Sequence, residues 1–175
     1  MDLQERGPVK RRPKVEGRAS RGKHSSSPPL GAAKRGRSGS FPGSRQAVEV
    51  AAALIFRAGK ILITQRNANA HLGGLWEFPG GKREPEETFE QCLVRELREE
   101  LGVEISVSGL FEEVVHAYPG KTVHLKFFAC SLPAGEPRPL DCAALKWVGK
   151  SELDNYAFPA ADARLLDKLR AYSFP

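Results

Sequence analysis

Apolar and polar positions in this chain follow two different periods, and the switch between them lays out its elements. Val48–Phe56 and Lys60–Gln65 are apolar or β-branched runs separated by Ala58-Gly59. Runs of this length around so short a break predict a β-hairpin. Trp76–Phe78 predicts a short strand that ends at Pro79-Gly80-Gly81. The period then changes. Phe89, Leu93, Leu97 and Leu101 recur at four-residue spacing, which predicts a helix over Glu87–Leu101 with one apolar side. Pro85, Glu86 and Glu87 suit its beginning, and Gly102 suits the position after its end. Glu104–His116 and Thr122–Ser131 alternate as strands, and Leu145–Val148 reads as another. Asp162–Tyr172 carries Leu165, Leu166 and Leu169 and predicts a terminal helix. There is no internal repeat and no regular β-α-β succession. The expected fold class is therefore α/β of the α+β kind, a mixed sheet with helices on its faces.

Before Val48 the texture differs. Residues 1–46 are rich in Arg, Lys, Pro, Gly and Ser, and their large apolar residues are only Leu3, Val9, Val15, Leu30 and Phe41. So little apolar surface does not offset the entropy of ordering, and the segment reads as a basic disordered tail. The domain boundary is placed between it and a folded domain over residues 47–175. The tail holds twelve Lys/Arg against three Asp/Glu, a net of +9, while residues 47–175 hold fifteen against eighteen, a net of −3. The overall +6 thus belongs to the tail. A solvated tail, or residues ahead of a later start, are the plain readings. Lys10-Arg11-Arg12 and Lys34-Arg35-Gly36-Arg37 also suit an arm that neutralises nucleic-acid phosphates. An organellar transit peptide fits the Arg and Ser content but not Asp2, Glu5 and the prolines.

No apolar run approaches the roughly 20 residues that cross a bilayer, so no membrane partner is expected. Cys92, Cys130 and Cys142 are far apart, with no C-x-x-C pair and no secretory apolar region near Met1. This argues for a reducing, cytoplasmic setting with free thiols. Each Cys reads first as a small core residue. Trp76 and Trp147 also read as core. His71, His116 and His124 have no convergent spacing, and no zinc site is expected from them. The oligomeric state is not legible.

The chemistry lies on the helix. Glu96, Glu99 and Glu100 sit at i, i+3 and i+4 and project toward one region of its surface. Such like charges repel by a few tenths of a kcal/mol per pair. Arg95 and Arg98 are too few to neutralise them all. A hard divalent cation removes the conflict, since carboxylate oxygens are good Mg2+ or Mn2+ ligands and Mg2+ also takes phosphates as partners. Periodicity alone leaves an acidic solvated face open beside a metal site.

The spacing narrows this. Gly81, five residues, Glu87, seven residues, Arg95-Glu96-Leu97, one residue, Glu99-Glu100, one residue, Gly102-Val103 matches the Nudix box at every defined position. The chain resembles the Nudix hydrolase family over about Val48 to Leu169. Val48–Ile55, Ile63–Arg66 and Gly74–Lys82 are similar to its MutT-like branch of 8-oxo-dGTP diphosphatases and CTP pyrophosphohydrolases. The resemblance implies a Nudix α/β/α sandwich that uses Mg2+, with Mn2+ as alternative. It implies hydrolysis of a nucleoside triphosphate to monophosphate and pyrophosphate, with 8-oxo-dGTP as leading substrate, (d)CTP as alternative, and a role in sanitising nucleotides for DNA repair. A noncatalytic Nudix binding module is the reading from another class; such modules usually lose the box glutamates, and all three are present here.

Residue by residue, the resemblance implies Glu99 and Glu100 as metal ligands. It implies Glu96 as the carboxylate that ligates metal and orients or deprotonates water, and the Gly80 carbonyl as a backbone ligand. Arg95 holds the glutamates, and Glu87 is tied to that arginine. Gly81 and Gly102 are motif glycines. Arg66 and Lys82 match positions near the phosphates, and Asp141 matches a further acid from a loop. Phe78 also belongs to the substrate set. Phe158–Asp162 resembles the base-reading segment, so Asp162 is either a base reader, a helix N-cap, or both. Phe127 and Phe128 alternate faces of one strand; Phe127 is the one assigned to the base, and core packing is the alternative for either.

Overall fold

The computed structural model describes residues 47–175, and the expectations for residues 1–46 lie outside them. The strands are β1 (Val48–Arg57), β2 (Lys60–Gln65), β3 (Trp76–Glu77), β4 (Gly80–Lys82), β5 (Ser106–Tyr118), β6 (Lys121–Ser131) and β7 (Ala144–Gly149). The helices are α1 (Phe89–Leu101) and α2 (Ala163–Ala171). Short 3-10 helices cover Lys150–Asn155 and Ala160–Asp162.

The sheet is mixed. Its order is β3-β2-β1-β6-β5, with β4 on β1 and β7 on β2. β1 and β6 are parallel, in register from Val48 with Val123 to Ile55 with Cys130. The other edge of β1 changes partner along its length. Val50–Ala52 pair with β4, whereas Phe56 and Arg57 pair with β2. Between the two, Ala53 N–H donates to the Pro79 carbonyl at 2.8 Å. The divergence of β4 from β2 lets the chain leave β1 toward α1.

Alternation along β1 sends its side chains to two cores. Ala51, Ala53 and Ile55 join Cys92, Leu93, Leu97, Leu101 and Phe128 on the α1 face. Ala52 and Leu54 join Ile61, Ile63, Phe78, Phe127, Leu165 and Leu169 on the α2 face. With one helix on each face the architecture is the expected α/β/α sandwich.

Several boundaries move. α1 starts at Phe89, not Glu87, because Thr88 forms a capping box with Gln91. Glu87 and its neighbours stay in the preceding loop. α1 ends on Gly102 at φ +68, whose N–H reaches the Arg98 carbonyl. β5 runs on to Tyr118. β4 and both 3-10 helices were not expected; each is too short to carry a period. Trp76 and Trp147, expected in the core, are only partly buried. Lys146 lies over the Trp76 ring and Arg57 over Trp147, so each indole has one cation-covered face.

Candidate active site

Two glycines bring β4 against β1 and α1. A Cβ on Gly80 would stand 2.2 Å from the Ala51 carbonyl oxygen, and its φ is +148. A Cβ on Gly81 would stand 2.1 Å from the Glu96 carboxyl carbon. At Gly80 the clash is with backbone at positive φ and glycine is required; at Gly81 a Cβ would instead push the Glu96 carboxylate aside.

Arg95 is the hub of the box. It donates to Glu87 at 2.6 and 3.2 Å, to Glu96 at 2.8 Å, to Glu99 at 3.4 Å and to the Lys82 carbonyl at 3.2 Å. These bonds hold the Glu87 carboxyl down at about 2 and raise the arginine further above its usual range. Glu99 is the outlying member, with its side chain 61% exposed. Glu100 is turned inward and accepts from the Gly80 N–H at 3.2 Å. Burial, then the charges of Glu77, Glu96 and Asp141, push its carboxyl up to about 8.

The loop before β7 is sewn to the end of α1. Leu140 and Asp141 N–H groups both donate to the Glu100 carbonyl, at 2.9 and 3.2 Å. Asp141 thereby stands beside the box, 41 positions after it in sequence from Glu100. Among the described residues, no three acidic, His or Cys side chains are yet gathered as a metal site. The donor chemistry nonetheless fits one: Glu96, Glu100, Asp141 and Gly80 line one cleft, and all offer hard oxygens.

That cleft has a volume of about 450 Å³. Beyond the box it is bounded by Arg66, Phe78, Lys82, Phe127 and Asp162, so it brings together the site residues expected from sequence apart from Glu99, Arg95 and Glu87, which support it from α1 and the loop before it, and Gly102. Gly102 has no place in the cleft; it closes α1. Phe127 is wholly buried, edge-on to Phe78 at 6.0 Å, while Phe128 faces α1. Phe78 also stacks on Phe158 at 5.4 Å. Asp162 is buried and makes no capping bond to α2. Burial, then the nearby Glu77, pushes its carboxyl up to about 7.

Three contributors to the site carry no motif in the sequence. Glu77 lies in the cleft, is ion-paired with Arg66, and is raised by burial. An acid between Trp76 and Phe78 in an apolar strand was the available signal. Tyr118 accepts from the Ala161 N–H at 3.3 Å and so braces the Asp162 turn. Lys121 reaches His71 Nε2 at 3.1 Å, joining the β5–β6 turn to the loop after β2. Neither of these pairs has any local signature. Arg66 is held from a second side by the His71 carbonyl at 2.7 Å.

A mixed sheet between two helices, with a glycine-braced acidic helix facing a nucleotide-sized cleft, defines a hydrolase of the Nudix type. The NUDIX domain profile matches residues 51–168, and the chain belongs to that family. It is 41% identical over 124 residues to the CTP pyrophosphohydrolase of Escherichia coli strain K12, covering 71% of this chain and 92% of that one. It is 37% identical over 111 residues to the 8-oxo-dGTP diphosphatase of the same strain, covering 63% and 86%. The solution structure of the E. coli ORF135 protein superposes with a TM-score of 0.63 at 41% identity, over 72% of this chain and 90% of that one. No helix among the described residues is long and apolar enough to cross a membrane.

Proposed function

We propose that this chain hydrolyses a nucleoside triphosphate to the monophosphate and pyrophosphate, with 8-oxo-dGTP as its preferred substrate. The observation that carries the reading is a single cleft that holds the box carboxylates Glu96 and Glu100, cations and an aromatic floor with a buried acid. Glu96, Glu99, Glu100, Asp141 and the Gly80 carbonyl would hold Mg2+ or Mn2+. When bound, the metal neutralises phosphate charge and lowers the pKa of the attacking water. Arg66 and Lys82 bind phosphate oxygens. Glu96, held by Arg95 on one side and against Gly81 on the other, orients the water and takes its proton. Attack falls on the β-phosphorus and the monophosphate leaves, so catalysis is positioning and electrostatics without a covalent intermediate. Phe78 and Phe127 bound the base, and Asp162 reads its edge.

(d)CTP hydrolysis is the second reading, favoured by the 41% identity to a CTP pyrophosphohydrolase, and Asp162 is compatible with both. A protonated carboxyl offers one donor beside one acceptor, which suits N3 and N4 of cytosine as well as O6 and N7–H of 8-oxoguanine. The free thiols Cys92, Cys130 and Cys142 support a cytoplasmic setting.

A panel of 8-oxo-dGTP, dGTP, dCTP and CTP with Mg2+, read by pyrophosphate release, tests this. 8-oxo-dGTP should give the highest kcat/KM, and Glu99→Gln should lower kcat on the order of a hundredfold. A far better dCTP moves the assignment to the second reading. Hydrolysis in ¹⁸O-water should label pyrophosphate; label in the monophosphate would falsify attack at the β-phosphorus.

A further inference from the structure

We infer that the Glu49–Arg83 ion pair is a positioning clamp for the box, fixing the loop ahead of α1 so that Glu87, Arg95 and Glu96 keep their alignment. The inference rests on the hydrolase reading above. Arg83 occupies one of the five places between Gly81 and Glu87 that the motif leaves open, so the family pattern does not call for it.

Its guanidinium joins two elements. Toward β1, Nε donates to Glu49 Oε2 at 2.7 Å, Nη2 makes a second contact to the same oxygen, and the Arg83 N–H donates to the Glu49 carbonyl at 2.9 Å. Toward the loop, Nη1 meets the carbonyls of Glu84 at 3.1 Å, Pro85 at 3.4 Å and Glu87 at 2.6 Å. Three carbonyl oxygens that point at one place repel unless a cation sits among them. Removing the guanidinium therefore releases the loop rather than leaving a neutral gap. Near the end of this loop stands Glu87, whose carboxylate grips Arg95 at 2.6 Å, and Arg95 grips Glu96 at 2.8 Å. Arg83 and Lys126 also flank the ring of Phe89, the first residue of α1, at 5.5 and 4.6 Å.

Neither Arg83 nor Glu49 lines the cleft, so an effect on turnover must pass through the position of other groups. Displacements on the order of 1 Å in a catalytic group cost roughly a hundredfold in rate. A lysine is no substitute, because one ammonium cannot serve a carboxylate and three carbonyls in the planar arrangement of a guanidinium.

The test uses the full chain with Arg83→Gln, Arg83→Lys, Glu49→Gln and the Glu49→Gln/Arg83→Gln double variant. Arg83→Gln and Arg83→Lys should each lower kcat on the order of tenfold, with nucleotide KM within about twofold. Glu49→Gln should lower it less, and the double variant should match Arg83→Gln, because the pair acts as one unit. Circular dichroism at the assay temperature should show both Arg83 variants folded. Amides of residues 84–88 should exchange faster in Arg83→Gln than in the parent, a readout that holds whichever nucleotide is cleaved, or none. Unchanged kcat in folded Arg83 variants, a kcat loss that only follows lost folded protein, additive effects in the double variant, or unchanged exchange would each overturn the clamp. Should Arg83→Gln not fold, Arg83→Lys and Glu49→Gln decide by the same readouts. A parent chain that cleaves no triphosphate, with faster exchange in Arg83→Gln, would instead remove the functional reading and leave the clamp.

Discussion

Asp162 sits where a carboxylate is costly to ionise: it is buried, makes no capping bond, and shares the cleft with Glu77. With the carboxyl raised to about 7 in the folded chain, the native state holds a proton that the unfolded state releases at a lower pH. Stability attached to this group is therefore greatest below the unfolded carboxylate range, falls as pH rises toward 7, and is flat above. Asp162→Asn removes that slope. Relative to the parent, the variant should gain on the order of a few kcal/mol between pH 4 and pH 8, measured by urea unfolding at each pH. The same titration reaches the substrate. An ionised Asp162 can only accept, so a base edge that needs its O–H is bound less well above pH 7. KM of the parent should rise there, while that of Asp162→Asn should stay level. Identical KM profiles would take Asp162 out of base recognition.

Helix α1 was legible because its information is local. The four-residue apolar spacing, the three glutamates and Gly102 all lie within 14 residues of one another, from Phe89 to Gly102. Its beginning is less legible, because Pro85 and the acids suit an earlier start and the pairing of Thr88 with Gln91 decides it. The Thr88 hydroxyl accepts from the Gln91 N–H at 3.2 Å, and the Thr88 N–H donates to the Gln91 side chain at 2.8 Å. Thr88→Ala should cost about 1 kcal/mol in chemical denaturation with nucleotide KM unchanged. An unshifted midpoint would mean that the capping box does not form in solution. The elements that close the cleft around α1 are long-range products. Glu77 comes with β3 pairing on β2, Tyr118 with the end of β5, and Asp141 with a loop hydrogen-bonded to Glu100. None of these approaches has a period or a spacing that one sequence displays. That is why the helical side of the cleft was readable in one sequence and the walls around it were only partly so.

At the scale of the molecule, charge is divided against itself. Residues 1–46 carry +9 and residues 47–175 carry −3. A domain of that sign does not attract a long polyanion; under the proposed function a triphosphate would be held by local cations such as Arg66 and Lys82 and by the metal. Residues 1–46 have the opposite tendency, which a nucleic-acid polymer can use through more phosphates than a single nucleotide offers. We therefore expect the two parts to act on different ligands. Deleting residues 1–46 should leave kcat and KM for the preferred triphosphate within about twofold, since the box lies at Gly81–Val103 and, among the described residues, the cleft lining begins at Val48. The full chain should bind duplex DNA at low salt with an affinity that falls steeply as salt rises, through release of counterions, and the shortened chain should not. Equal, weak DNA binding by both would reduce the tail to a solvated segment. A large loss of turnover on deletion would instead mean that the basic segment helps to hold the triphosphate, and that the two parts share one ligand.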